Sequence, residues 1–370
     1  MWEEPDALIA LVRVCGGVSR VTGGSTWKQH LRVMPLIEGS TKFATKFTTK
    51  IKTHGKHPES FEVIGKKASS MKAKNVLITG ASGLLGRRIF RSFKEVKVWK
   101  VTGTAHTRPT PALVRVDLAD LECLSAFLDK VQPEIIIHSA AERRPDVSQR
   151  DPEGTQRLNV ETTAKIAEWA AAHGAFLVYI STDYVFDGTT PPYYIDSLPN
   201  PLNSYGESKR AGEVAVLSAC EEYAILRVPI LYGLVESLGE SAVMTIAQNL
   251  LDAGESGTVT EENWAVRHPT LTDDVADILR QMLFYREKHP TFKGIFHWSG
   301  NEAMTKYDMA LIFAKYLNFE KGRILPDHRP PAGAPRPWNS QLDTSALTSI
   351  GIEKYTPFRE AVPQILKGAL

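Results

Sequence analysis

The chain has 370 residues, 43% of them hydrophobic, and its 44 Lys and Arg nearly balance 42 Asp and Glu, for a formal net charge of +2. That length suits one large or two modest globular domains, and the balanced charge argues against a basic nucleic-acid surface or a polybasic membrane contact. No apolar run is long enough to cross a bilayer, and Cys15, Cys123 and Cys220 are too scattered for a zinc motif or a disulfide framework, which fits a reducing, cytoplasmic setting.

Residues 1–72 read as an extension distinct from the rest of the chain. Gly16-Gly17 and Gly23-Gly24 interrupt any early pattern, and Lys42 to Lys67 is lysine-rich without sustained periodicity, the composition of a disordered segment. Its basic bias suits a transit peptide, but Glu3, Glu4 and Asp6 stand where such peptides avoid acids. Met71 offers an alternative start, which would make the segment before it an artefact of a misassigned start codon.

Ordered structure is expected from residue 73. Val76 to Ile78 reads as a buried parallel strand, followed at once by Gly80, Gly83 and Gly86 and then by Leu85, Ile89, Phe90 and Phe93 at helical spacing. Strand, glycine turn and helix form the phosphate cradle of a dinucleotide-binding fold. Gly80 allows the sharp turn, Gly83 lets the backbone approach a pyrophosphate, and Gly86 lets helix and strand pack closely. Ser82, Leu84 and Leu85 lie in the same turn, where the helix N-terminus offers free N–H groups.

Val98 to Val101 reads as a second strand, running out at Gly103-Thr104-Ala105-His106-Thr107-Arg108. An acidic residue there would meet the ribose 2′-hydroxyl of NAD. None is present, and His106, Thr107 and Arg108 suit a 2′-phosphate, so NADP is expected over NAD. Leu113 to Val116 is a short third strand leading to Asp117-Leu118 at the adenine edge. Leu121 to Val131 is a helix and Ile135 to His138 a fourth strand. Small residues from Ser139 give a cofactor room to pass, and Arg143 and Arg144 follow at the carboxyl end of that strand. Leu158 to Ala172 is a helix, Phe176 to Ile180 a fifth strand, Asn203 to about Cys220 a helix, and Ala224 to Val228 a sixth strand. Such alternation implies an α/β fold with a doubly wound, parallel Rossmann sheet.

The rhythm changes beyond Pro229. A helix is expected over Ser241 to Leu251, a short strand and turn over Trp264 to Thr270, a helix over Asp274 to Tyr285 and a strand over Gly294 to Trp298. Thr305 to Asp308 resembles a capping box opening a helix that ends near Leu317, and Pro326 to Pro337 is a proline-rich loop. The division expected is a dinucleotide-binding domain over 73–232 and a smaller C-terminal lobe over 233–370, with segments returning to the main domain.

Tyr205 and Lys209 are four residues apart on a helix and face the same way. A free phenol has a pKa of ~10, and a nearby ammonium lowers it, fitting tyrosine for proton transfer to a carbonyl oxygen. Ser181 or Thr182, ending the fifth strand, would polarise the same oxygen. Glycine turn, Ser-Thr after a strand, then Tyr-x-x-x-Lys at a helix start make a joint pattern that each motif lacks alone. Thr182, Tyr205 and Lys209 are therefore the candidate catalytic set. His297 and Trp298 read as core, Asp273 and Asp274 as helix N-terminal charges, and no residues have metal-ligand spacing.

Through Ser181-Thr182-Asp183-Tyr184-Val185-Phe186 and Pro201 to Lys209 the chain resembles the dTDP-4-dehydrorhamnose reductases of the extended short-chain dehydrogenases. It is closer still to the methionine adenosyltransferase regulatory (beta) subunits. That likeness rests on Ala140 to Val147, Pro229 to Gly233, Glu240 to Val243, and Phe296 to Glu302 with Met304 to Tyr307. The resemblance covers about residues 73–360. It implies an NADP-binding, reductase-like fold that partners the catalytic subunit making S-adenosylmethionine. By position it implies cofactor contacts at Ser82 to Leu85, His106 to Arg108, Asp117, Leu118, Ser139, Arg143, Tyr205, Lys209 and Leu231. The alternative it leaves open is an active NADPH-dependent reductase of a 4-keto sugar nucleotide.

Overall fold

Buried toward its carboxyl end, the run Lys74–Thr79 forms strand β1 in the interior of a seven-stranded sheet. We describe residues 73–370 in a computed structural model; the expected N-terminal extension and Cys15 lie outside the described residues. The other strands of the sheet are β2 (Trp99–Ala105), β3 (Val114–Arg115), β4 (Ile135–His138), β5 (Phe176–Thr182), β6 (Tyr223–Val228) and β10 (Gly294–His297). Their order is β10-β6-β5-β4-β1-β2-β3, and every pairing is parallel. The strand order reverses between β1 and β4, the place where doubly wound sheets open a ligand crevice at their carboxyl ends.

The apolar runs explain the two layers. Side chains alternate across a strand, so Val76, Ile78, Ile135, Ile137, Val178 and Leu226 face one core. Leu77, Ile136, Leu177 and Ile225 face the other. Helix α1 (Leu84–Lys94) covers the first face with Leu85, Ile89 and Phe93, beside Val275, Ile278 and Leu279 of the later helix Thr272–Lys288. Helix α2 (Leu121–Val131), the helix Thr162–His173 and the helix Ser204–Ala219 cover the second. A third core unites Met244–Ala253, Lys306–Leu317 and Phe358–Ala369 with the short strands β8 (Val259–Glu262) and β11 (Ile324–Asp327). Strands β7 (Leu231–Tyr232) and β9 (Thr270–Leu271) pair where the chain enters and leaves this lobe.

Several sequence expectations shift. Strand β2 continues through Gly103, where a Cβ would come within 2.8 Å of Leu113, Ala81 and Phe90, so only glycine keeps the strand in place. The helix expected from Leu158 begins earlier, at Pro152, and passes through a π turn at Arg157–Glu161 before Thr162–His173. Trp264 to Pro269 makes only isolated bridges, at Val266 and Arg267, while the strand is Val259–Glu262. Its Val-Thr-Glu-Glu sequence hides a buried face, because Glu261 turns inward to accept a 2.8 Å hydrogen bond from Asn249. Pro326 lies within β11, so the proline-rich loop begins after Asp327. The Thr305 capping box is present, with the Thr305 side chain accepting from the Asp308 N–H and the Asp308 carboxylate accepting from the Thr305 N–H, an arrangement that stabilises a helix by about 1 kcal/mol. His297 and Trp298 are fully buried. Among the described residues, no helix is long and apolar enough to cross a membrane.

Candidate functional site

The glycine turn closes the crevice at the carboxyl end of β1. Gly80 has φ of +66°, and a Cβ there would lie 2.8 Å from the Ala140 Cα. At Gly86 a Cβ would collide with the Gly80 carbonyl, so turn and helix touch through glycine alone. At Gly83 a Cβ would meet only the Gly80 carbonyl oxygen, at 3.2 Å. Gly83 is the N-cap of α1, makes no side-chain cap, and the first helical turn holds no acid. The N–H groups of that turn thus remain for an anion. Ser139 completes the floor, donating from Oγ to the Thr79 carbonyl at 2.8 Å. These features fit the pyrophosphate of a dinucleotide.

Around this cradle the sequence-expected residues are placed unequally. His106, Thr107 and Arg108 follow β2 and are exposed. His106 Nε2 stands 3.7 Å from an Asp117 carboxylate oxygen, and Leu118 is buried with its carbonyl accepting from Thr162. Leu231 lies on β7, its carbonyl accepting from the Ser241 hydroxyl. Arg108 is not a free cation: it pairs with Glu236 at 2.6 Å and Glu240 at 2.9 Å and donates to the Ser82 carbonyl at 2.9 Å. Arg87 donates to the same Ser82 carbonyl and to both Glu240 carboxylate oxygens, at 3.0 and 2.7 Å. Arg143 donates to the Glu240 backbone carbonyl. Burial disfavours the Glu240 carboxylate, yet hydrogen bonds from Arg87, the Glu236 N–H and Arg108 hold its pKa well below the usual range. Sequence reading missed this cluster, because Arg87 and Glu240 are 153 residues apart and nothing local marks them as partners.

At the neighbouring end of β5, Thr182 and Tyr205 come together, and the Tyr205 ring meets Tyr184 edge-on at 5.9 Å. Asn203 caps the Tyr205 helix, its side chain accepting from the Gly206 N–H. Ser181, the alternative to Thr182, turns away and donates to Glu213 at 2.6 Å, while the Thr182 hydroxyl donates to Asp183 at 3.1 Å and accepts from the Tyr184 N–H at 3.2 Å. The tyrosine electrostatics differ from expectation. Burial raises the Tyr205 pKa, the Thr182 hydrogen bond opposes this, and the nearby Asp183 and Tyr184 add to the rise. Lys209 does not offset it, since its ammonium lies over the Tyr179 ring, 4.0 Å from the centroid. Burial pulls Lys209 itself down to about 7, with Glu213 acting in the opposite direction. Burial also raises Asp183 to about 6, against hydrogen bonds from Ser340 and Thr182.

Beneath these groups runs a buried ion pair that sequence reading also missed. Arg227 of β6 donates to Glu213 at 2.7 and 2.8 Å, and both side chains are almost wholly buried. Arg210 adds a second cation at 3.0 Å, and Arg227 Nη1 approaches His297 Nε2 at 3.3 Å. Another missed residue is buried Asn159 in the π turn, which donates to the Glu142 carbonyl and the Ser208 hydroxyl and accepts from the Glu142 N–H. It fixes the loop that carries Arg143 against the Tyr205 helix. No group of three or more metal-ligating side chains occurs among the described residues, and Cys123 and Cys220 are free.

Known proteins resemble this chain in sequence and fold. The family model described as RmlD substrate binding domain matches residues 74–370. Methionine adenosyltransferase 2 subunit beta of Xenopus tropicalis is 46% identical over 79% of this chain and 87% of its own length. The Mus musculus protein of that name is 44% identical over 80% and 87%. Among solved structures, dTDP-4-dehydrorhamnose reductase from Bacillus anthracis in complex with NADP is 25% identical with a TM-score of 0.69, covering 81% of this chain and 99% of that one.

Proposed function

Since the chain belongs to the RmlD substrate binding domain family and aligns over most of its length with methionine adenosyltransferase beta subunits, we propose that it is a regulatory subunit of methionine adenosyltransferase. In this reading it holds a nicotinamide dinucleotide in the glycine turn and works in the cytoplasm beside the catalytic subunit that makes S-adenosylmethionine. The extent of the alignment carries the reading, and it spans the cradle, the Arg87–Glu240 cluster and the C-terminal lobe together. Bound dinucleotide stabilises the folded state by mass action, and so the surface offered to a partner. NADP is the cofactor favoured, because Arg108 and His106 follow β2 and residues 103–108 hold no acid.

Mixing the full chain with the catalytic adenosyltransferase of the same source is expected to give a stable complex at micromolar concentrations by gel filtration. Separate elution of the two would remove the regulatory reading.

One observation favours a second reading, NADPH-dependent reduction of a 4-keto sugar nucleotide: Thr182, Tyr205 and Lys209 are all retained, with Thr182 beside Tyr205. A bound nicotinamide would supply hydride. Thr182 would orient the carbonyl oxygen and Tyr205 would hold the proton it receives, the elevated phenol pKa keeping that proton in place at neutral pH. This reading expects consumption of NADPH with dTDP-4-dehydrorhamnose and a fall of about 10²–10⁴-fold in Tyr205→Phe. Dinucleotide binding without turnover would exclude it and leave the regulatory one standing.

A further inference from the structure

Arg108, which follows β2, already has carboxylate partners. Arg87 and Arg108 face Glu236 and Glu240, two charges against two. A phosphate oxygen can take a place on this pair of guanidiniums only if one carboxylate withdraws. The two glutamates differ in how readily they can do so. Glu240 has its side chain 7% exposed and accepts from Arg87, Arg108 and the Glu236 N–H. Glu236 has its side chain 52% exposed and engages through one oxygen, 2.6 Å from Arg108 Nη1 and 3.3 Å from Arg87.

We propose that Glu236 is an internal competitor for Arg108 and sets how strongly a 2′-phosphorylated dinucleotide is preferred over its unphosphorylated counterpart. This rests on the cofactor reading above. Arg108 Nη2 is anchored by the Ser82 carbonyl and by Glu240, each at 2.9 Å, so its guanidinium stays at the glycine turn whatever happens at Nη1. An anionic oxygen that replaces the Glu236 carboxylate therefore finds Nη1 already oriented. NAD carries no such oxygen and leaves the Glu236–Arg108 pair intact. Glu236 thus weakens binding of NADP alone, although it lies 128 residues from Arg108 in the chain.

Calorimetric titration of the full chain with NADP and with NAD, at fixed ionic strength, tests this. Glu236→Gln removes the charge at an exposed position and is expected to tighten NADP by about two- to fivefold, the range of an exposed ion pair, with NAD changed less than about twofold. In an Arg108→Ala background the gain should vanish, because the two effects act through one contact. An unchanged NADP-to-NAD ratio in Glu236→Gln, weaker NADP binding, or a gain that persists without Arg108 would overturn the proposal alone. Failure of the unaltered chain to bind either dinucleotide would overturn the cofactor reading and this proposal with it.

Discussion

Gly83→Asp is expected to abolish dinucleotide binding while leaving the protein folded. Gly83 has φ of −79° and ψ of 168°, ordinary extended backbone for any residue. Its added Cβ would meet the Gly80 carbonyl oxygen at 3.2 Å and nothing else nearby, a contact relieved by a shift of a few tenths of an ångström. Aspartate is moreover a preferred N-cap, and α1 has no side-chain cap of its own. The carboxylate would take the helix N–H groups that a pyrophosphate needs and would place a negative charge in the anion's position. Stability should change by less than about 1 kcal/mol, and affinity for NADP and NAD alike should fall by at least about a hundredfold. Gly86→Ala is the contrasting variant: its Cβ collides with the Gly80 carbonyl, so it should lower the urea midpoint as well. Near-normal dinucleotide affinity in folded Gly83→Asp would show that the phosphates lie elsewhere.

The glycine turn was legible because its constraints are local. Gly80 answers its own positive φ and Gly86 the Gly80 carbonyl six residues away, and the apolar runs of β1, β4 and β5 announce burial on both faces. The Thr305 capping box and the Asn203–Tyr205–Lys209 helix start are local in the same sense. What stayed hidden was set by distant partners. Arg108 reads as a free cation until Glu236 and Glu240, on the far side of the sequence, are folded against it. Ser181 and Thr182 are equivalent candidates on paper, and only the strand's alternation decides that Ser181 points down to Glu213. Lys209 and Tyr205 share a helix face, as their spacing requires, yet the ammonium settles over Tyr179 instead of beside the phenol. Strand β8 was lost because a buried glutamate satisfied by Asn249 looks, in sequence, like a solvated one.

Arg227→Met should produce the largest loss of stability. The side chain is 1% exposed and its partner Glu213 is wholly buried. Removing the guanidinium leaves a buried carboxylate held by Ser181 and the partly exposed Arg210, and breaking such a pair costs about 3–5 kcal/mol. In a domain of this size the midpoint of thermal unfolding should fall on the order of 10 °C. The pH dependence identifies the cause. Burial opposes ionisation of Glu213, but Arg227, then Ser181 and Arg210, hold its pKa below the usual value. A depressed folded pKa contributes stability that is complete above the unfolded value of ~4.3 and disappears as pH falls through the folded value. Without Arg227 the largest offset to burial is lost, and the folded pKa is expected to rise above the unfolded one. The variant should then regain stability on acidification from pH 7 toward pH 5, while the unaltered protein does not. Glu213→Gln in the Arg227→Met background should restore part of the loss at pH 7 and remove the regained portion at low pH. A loss of under about 1 kcal/mol, or one independent of pH, would mean that Glu213 finds compensation elsewhere. Because Glu213 lies one turn beyond Lys209 on the same helix face, the pair's removal should also change the setting of the Tyr205 helix more than that of the glycine turn. Dinucleotide affinity per folded molecule should therefore survive the substitution better than any activity that depends on Tyr205.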